Sequence, residues 1–86
     1  MLLGITGEHF PVKGIDGKEY MFVYADKTWE CKVSERYSAY IYKGGASWYH
    51  GWYTIDEINY HASATNNPVR SARIAINKLI RKTRLK

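Results

Sequence analysis

The sequence predicts an α+β protein, with an antiparallel β-meander of four to six strands followed by two carboxy-terminal helices, the last of them basic and amphipathic. Short segments rich in Tyr, Trp and Val follow one another through residues 2–53, separated by turns that contain Gly or Asp. A capping-box pattern then predicts a short helix over 54–62, and an amphipathic repeat predicts a longer one over 68–84. At 86 residues, the chain is expected to form a single domain, 1–86, with one hydrophobic core.

The amino-terminal segments predict a strand and then a hairpin. Leu2 to Thr6 is apolar enough for a short strand. Asp16-Gly17 separates two β-prone segments, and this dipeptide favours a type I′ turn. Pro11 places the first hairpin strand at a sheet edge, because proline has no amide hydrogen for the ladder. Lys18–Ala25 has large apolar side chains in both alternating sets, which is typical of a central strand.

Three further segments complete the predicted sheet. Thr28–Glu35 alternates apolar and polar residues, Arg36–Lys43 is β-prone, and Ser47–Tyr53 returns after a turn at Gly44-Gly45. By alternation, Tyr37, Ala39 and Ile41 point to one face and Ser38, Tyr40 and Tyr42 to the other.

A short helix is predicted after the sheet. Thr54-Ile55-Asp56-Glu57 matches the capping box, in which the Thr hydroxyl and the Glu carboxylate accept hydrogen bonds from early helix N–H groups. Asp56 and Glu57 are then carboxylates at a helix start, where the macrodipole favours them. Ser63–Asn67 becomes the linker to the second helix.

The second helix is predicted to carry nearly all the excess positive charge. Asn67 is a suitable N-cap and Pro68 a suitable first residue. From residue 70 to residue 86 the chain has seven of its thirteen Lys and Arg residues and no acid, so the net charge of +5 arises here. On a helix, Val69, Ala72, Ala75, Ile76, Leu79 and Ile80 share one arc, and Arg70, Arg73, Asn77, Arg81 and Arg84 share the next.

This basic arc matches the geometry of a helix laid along a phosphate backbone. An acidic protein surface and an ordinary solvated helix face are the alternatives. Protein surfaces usually mix charges of both signs, so the absence of acids favours nucleic acid. The predicted nucleic-acid contacts are Arg70, Arg73, Asn77, Arg81 and Arg84 on the helix, with Arg36, Tyr40, Tyr42 and Lys43 on the sheet.

Aromatic residues are concentrated on two neighbouring predicted strands. They are Tyr37, Tyr40, Tyr42, Trp48, Tyr49, Trp52 and Tyr53. Alternation divides them between two faces. Rings on an uncovered face would be available to stack on bases, contact sugars or enter a partner. The alternative is a small core that uses aromatic side chains on both faces.

The sequence predicts no enzyme, no cofactor and no metal site. His9, His50, His61 and Cys31 are the obvious groups for nucleophilic or general-base chemistry, and none lies in a catalytic motif. A single cysteine excludes an internal disulfide, and no Cys/His group has zinc spacing. Because neither a signal sequence nor a membrane span is visible, we expect a cytoplasmic protein that does not bind a membrane.

The stretch from Trp29 to Ala62 resembles the AP2-type DNA-binding domain, which also occurs at the amino ends of some phage integrases and beside HNH homing endonucleases. The matching residues are Trp29, Tyr37-x-Ala39-x-Ile41, Gly44-Gly45, Trp48-Tyr49-x-Gly51-Trp52-Tyr53 and Thr54-x-Asp56-Glu57-Ile58 leading to Ala62. The resemblance implies three antiparallel strands packed on a helix, with the outer sheet face entering the major groove. Its groove-facing strands are usually rich in Arg, whereas this chain has mainly Arg36, Lys32 and Lys43 there, so the basic helix would have to supply phosphate contacts.

The sequence therefore predicts a small nucleic-acid-binding protein of phage or mobile-element type, with DNA favoured. The alternative is a phage-type anti-defence protein, such as an anti-CRISPR, that binds a host nucleic-acid-processing protein. The sequence leaves the oligomeric state open.

Overall fold

A computed structural model describes residues 9–45 and 48–84, which form six strands and one helix. The strands are β1 (His9–Lys13), β2 (Glu19–Ala25), β3 (Thr28–Lys32), β4 (Tyr37–Lys43), β5 (Tyr49–Ile55) and β6 (Ile58–Thr65), and the helix is α1 (Pro68–Arg84). All six strands form one antiparallel sheet in the order β1-β2-β3-β4-β5-β6. The predicted α+β meander is confirmed. The strand predicted for Leu2 to Thr6 lies outside the described residues.

Helix α1 packs against one face of the sheet, which we call the inner face, and the opposite side is the outer face. The buried core consists of Val12, Phe22, Cys31, Ala39, Ile41, Tyr53 and Ala62 from the sheet and Ala72, Ala75, Ile76, Leu79 and Ile80 from the helix. Most of the predicted apolar arc is therefore core, with half-buried Val69 packed against it. Ala39 and Ile41 are fully buried, which confirms the face predicted for them.

The helix and the sheet approach each other most closely at Gly51 of β5. A Cβ atom at this position would overlap Ser63 Oγ, lie 2.8 Å from the Ser71 carbonyl oxygen and lie 3.4 Å from Ala75 Cβ. Only a residue without a side chain fits between these groups. Small residues on both elements thus set the separation of α1 from the sheet.

Hydroxyl groups fix the first turn of α1 to the two last strands. Ser71, which is fully buried, donates through Oγ to the Tyr49 carbonyl oxygen at 2.9 Å, and Ser63 Oγ donates to the Ser71 carbonyl oxygen at 3.0 Å. Asn67 Oδ1 accepts a hydrogen bond from the Arg70 N–H at 3.0 Å, as expected of an N-cap. The predicted start of the basic helix is confirmed, and its buried polar groups are paired.

The helix predicted over 54–62 is wrong, because this segment forms the end of β5, a tight turn and the start of β6. Asp56 and Glu57 occupy the turn with φ of 51° and 71°, the left-handed geometry of a type I′ hairpin. Their predicted role as helix-start carboxylates is also wrong. Ser63–Thr65, predicted as linker, completes β6.

Cross-strand partners explain why the capping box does not start a helix. The Thr54 hydroxyl, expected to cap helix N–H groups, instead donates to Asn59 Oδ1 on β6 at 2.7 Å. Arg36 holds the turn by donating from Nε and Nη2 to the Asp56 carboxylate at 2.6 and 2.8 Å. Tertiary pairing of this kind overrides a local helix signal.

The turn between β1 and β2 also differs from the expected type I′ geometry. Gly17 has a φ of 83° but Asp16 does not lie in the left-handed region, and the Gly14 carbonyl oxygen accepts the Gly17 N–H at 3.0 Å. Tyr20 donates its hydroxyl to Asp16 Oδ2 at 2.6 Å, and this bond holds the pKa of Asp16 below its ordinary value. Pro11 lies on the edge strand β1, as predicted.

Replacing Gly51 by Ala is expected to lower the free energy of unfolding by about 1–3 kcal/mol, because the added methyl group forces α1 away from β5. Chemical denaturation measures the change. Gly45→Ala is the matched control, since the nearest atom to a Cβ there is Trp48 Cβ at 3.9 Å. Equal stability of the two variants would contradict the close approach at Gly51.

Candidate nucleic-acid interface

The side of α1 that faces away from the sheet presents a row of exposed arginines. Arg70, Arg73 and Arg81 are exposed, and α1 contains no acidic residue. Within the part of the chain that the structure describes, none of these three guanidinium groups pairs with a carboxylate, and the ion pair found is Arg36–Asp56. At about 1.5 Å per residue, Arg70 and Arg81 lie roughly 17 Å apart along the helix. Arg84 is the last residue of the same helix.

Asn77 differs from the arginines around it because its side chain is half-buried and engaged. Its Oδ1 accepts a hydrogen bond at 3.0 Å from the Ile15 N–H in the loop between β1 and β2. The same loop contacts the helix at Gly14, where a Cβ would lie 2.7 Å from Ile80 Cδ1. Asn77 therefore ties the amino-terminal hairpin to α1, a role that the sequence pattern did not indicate.

A shallow cleft of about 230 Å³ adjoins the arginine row at Arg81. Tyr53, Lys78, Arg81 and Lys82 line it. Lys78 Nζ donates to the Ala62 carbonyl oxygen of the edge strand β6 at 2.8 Å. Lys82 Nζ lies 5.6 Å above the Tyr60 ring, which is within cation–π range. Three cations thus surround an apolar floor.

The predicted sheet contacts lie apart from the arginine row. Arg36 is held by Asp56, and this carboxylate raises the pKa of the guanidinium above its ordinary value. Tyr40 and Tyr42 lie on the outer face, on the side of the sheet opposite α1, in the orientation that alternation predicts. Lys43 has its ammonium group 6.0 Å from the Tyr49 ring centre at the end of β4. Tyr40 and Tyr42 therefore lie on the side of the sheet opposite the arginine row, whereas Lys43 shares the strand face of Ala39 and Ile41.

The aromatic residues divide between the two faces. Tyr53 belongs to the core, and Tyr37 and Tyr49 pack against it. On the outer face Tyr40 stacks on Trp52 with ring centres 6.3 Å apart, and partial burial raises the pKa of the Tyr40 hydroxyl. The aromatic run is therefore partly core and partly accessible surface.

Exposed apolar side chains extend this outer surface toward β2. Met21 and Val23 are 44% and 47% exposed. Both positions were predicted to be partly covered, because Lys18–Ala25 reads as a central strand. The strand is internal to the sheet, but among the described residues only its inner side is covered.

Of the four groups considered for catalysis, Cys31 lies in the core, and within the described residues His50 and His61 contact each other. Cys31 is buried, and burial raises the pKa of its thiol, so the nucleophilic thiolate is disfavoured. His50 and His61, eleven positions apart in sequence, meet on the outer face with Nδ1 and Nε2 3.4 Å apart. No cluster of three or more metal-ligating side chains occurs among residues 9–45 and 48–84. No helix in the described portion of the chain is long and apolar enough to cross a bilayer.

Comparisons of the chain with protein-family models, with curated proteins and with solved structures find no match. The resemblance to AP2-type domains therefore stays a prediction. Of the residues on which it rests, Ala39 and Ile41 lie on the inner face of β4 and Gly51 lies on β5. The segment from Thr54 to Ile58, which matches the start of the family's helix, forms a hairpin turn instead.

Asn77→Ala is expected to lower the free energy of unfolding by about 0.5–1.5 kcal/mol, because the Ile15 N–H loses its acceptor. Thermal or denaturant melts measure this. Asn77→Asp keeps an acceptor oxygen and should therefore keep most of the stability that Asn77→Ala loses. Arg73→Ala, one turn earlier, should change the free energy of unfolding by less than about 0.5 kcal/mol. An Asn77→Ala melt that matches the Arg73→Ala melt would show that the contact is not structural.

Proposed function

We propose that this protein binds nucleic acid, with DNA favoured, through the outward side of α1 and the adjoining cationic cleft. The observation that carries the proposal is a docked helix whose exposed arginines have no carboxylate partners in the described structure. Arginine in this state is free to donate to phosphate. The AP2-type resemblance adds support for DNA and for a protein of phage or mobile-element type.

The fixed packing of α1 on the sheet supports this function. The apolar arc of α1 is core, so the backbone that carries Arg70, Arg73 and Arg81 is held in one place. Fixed cations lose less conformational freedom on binding than cations of a flexible tail. Neutralised phosphates release counterions, which supplies most of the affinity for any sequence.

The cleft beside the arginine row supports a phosphate contact at the edge of the sheet. Lys78, Arg81 and Lys82 converge there from one side of the helix. Lys78 is held by the Ala62 carbonyl oxygen and Lys82 by the Tyr60 ring, so both ammonium groups have defined positions. An anion in the cleft would face three positive charges above an apolar floor.

The outer face has a different charge balance. The side chains that β1, β2 and β3 direct to the outer face include two bases, Lys13 and Lys32, and two acids, Glu19 and Glu30. Acids and bases there offset one another, so this face does not attract a polyanion as the helix does. We therefore propose that phosphate binds on the helix side of the protein and not on the outer face.

Binding to duplex DNA should weaken steeply with salt, with a log–log slope of roughly −4 to −5 if four to six phosphates are neutralised. Arg73→Gln with Arg81→Gln should reduce the magnitude of the slope by about 2. The measurement is a fluorescence-anisotropy titration at several salt concentrations on duplex DNA, single-stranded DNA and RNA.

The matched control is Lys13→Gln with Lys32→Gln, which removes the same charge from the outer side of the sheet. This pair should leave the slope nearly unchanged. Equal losses from both double variants would show that net charge alone drives binding. Absence of binding to all three nucleic acids at low salt would overturn the proposal.

The second candidate function is binding to a host nucleic-acid-processing protein, as an anti-defence inhibitor does. The exposed apolar side chains of the outer face favour it. Met21, Val23 and Tyr42 lie open there, beside the half-buried Tyr40 and Trp52 rings. Surfaces of this kind often supply the central contacts of protein interfaces.

Tyr42→Ala separates nucleic-acid contact through the outer face from contact through α1. If the helix alone binds, the affinity for DNA should be unchanged within about twofold, because Tyr42 lies on the opposite side of the sheet. If the outer face enters a groove, as the AP2-type resemblance implies, the affinity should fall by clearly more than about twofold, because a contact to base edges or sugars is lost. The anisotropy titration used for the arginine variants measures both outcomes, and a melting curve confirms that the variant is folded.

A further inference from the structure

The geometry of His50 and His61 points to a two-histidine site for a divalent transition metal ion, with Zn²⁺ the ion it fits best. The site lies on the outer face and is independent of the cationic helix. We infer that His50 Nδ1 and His61 Nε2 are the two protein ligands and that water completes the coordination shell.

The separation of the two nitrogens carries the inference. They lie 3.4 Å apart. At this distance one ring N–H donates a long hydrogen bond to the nitrogen of the other ring, and the tautomers decide which ring is the donor. Two nitrogens bound to one tetrahedral Zn²⁺ at about 2.0–2.1 Å are separated by about 3.4 Å. The same spacing therefore fits a chelate, in which one metal ion takes the place of the shared proton.

The strands bring these rings together through an irregularity in the sheet. His61 is paired with Trp52, whereas His50 is paired with Ala64, and the register shifts between Gly51 and Trp52. Bulges of this kind re-aim side chains and are frequent beside functional sites. Because the residues come from different strands and are eleven positions apart in sequence, no local sequence motif marks the pair.

Neighbouring groups hold both imidazoles. The His50 ring stacks on Tyr42 with ring centres 5.4 Å apart, and a Cβ at Gly44 would lie 2.5 Å from His50 Cδ2. The His61 ring meets the Trp52 ring edge-on at 4.9 Å. The ring centres of the two histidines are 5.6 Å apart, so the facing nitrogens lie between the rings. Small rotations about χ2, which is a soft torsion for His, aim both lone pairs at one ion.

The chemistry of the ligands selects the metal. Imidazole nitrogen suits Zn²⁺, Cu²⁺ and Ni²⁺, whereas Mg²⁺ and Ca²⁺ prefer oxygen. A cis pair in square-planar Cu²⁺ brings the nitrogens to about 2.8 Å, closer than they lie here. A tetrahedral ion fits without moving the strands.

Isothermal titration with Zn²⁺ near pH 7.5 tests the site. One ion per chain is expected, with nuclear magnetic resonance shifts at the His50 and His61 rings. At a Zn²⁺ concentration ten times the dissociation constant, the melting temperature should rise by roughly 6–11 °C.

Variants show whether these two rings are the ligands. His50→Gln and His61→Gln should each weaken Zn²⁺ binding at least tenfold, while His9→Gln, which removes a histidine elsewhere on the sheet, should leave it unchanged. Gly44→Ala should also weaken binding, since the new methyl group displaces the His50 ring. Melting curves without metal confirm that each variant is folded. Zn²⁺ affinity unaffected by both histidine variants, or no binding by the wild type, would overturn the inference.

Discussion

The close contact between α1 and β5 at Gly51 is the constraint on which the other features of this protein depend. Gly51 leaves room for the Ser71 backbone and the Ala75 methyl group, so the helix lies directly on the sheet. The apolar arc is then buried, and the cations are left on the side that faces away. Because a single helix covers a single face, no other element of residues 9–45 and 48–84 covers the opposite face of the sheet.

The charge pattern of the molecule follows from that packing. A helix that carries six basic residues and no acid is destabilised by repulsion between them, and burial of its apolar arc offsets this cost. The result is a surface with two unlike sides, one cationic and helical and the other aromatic with balanced charge. Such a division permits two ligands to bind at once without competing for the same residues.

Local patterns predicted the elements whose signals agree with their tertiary environment. Asn67 and Pro68 marked the helix start, and the alternation of Ala39 and Ile41 with Tyr40 marked two faces of a strand. The segment from Thr54 to Glu57 shows the opposite case, because its capping pattern is genuine but its hydroxyl and carboxylate have better partners across the sheet. Those partners are remote in sequence, so the local pattern could not reveal them.

The candidate sites show the same limit. Arg70, Arg73 and Arg81 form a row because helix periodicity alone places them together, and so the sequence was sufficient. Asn77 matches that periodicity but is tied to Ile15, 62 positions away. The pairing of His50 with His61 depends on strand register and a bulge, and no spacing rule encodes either.

The order of the strands has a consequence for biosynthesis. Each strand pairs with its neighbour in sequence, so hairpins can form one after another as the chain leaves the ribosome. Helix α1, which covers Phe22, Ile41 and Tyr53, follows all six strands. The apolar inner face of the growing sheet therefore stays open to water, chaperones and other nascent chains until the helix has been synthesised. The stage just before helix synthesis is thus when aggregation is most favoured.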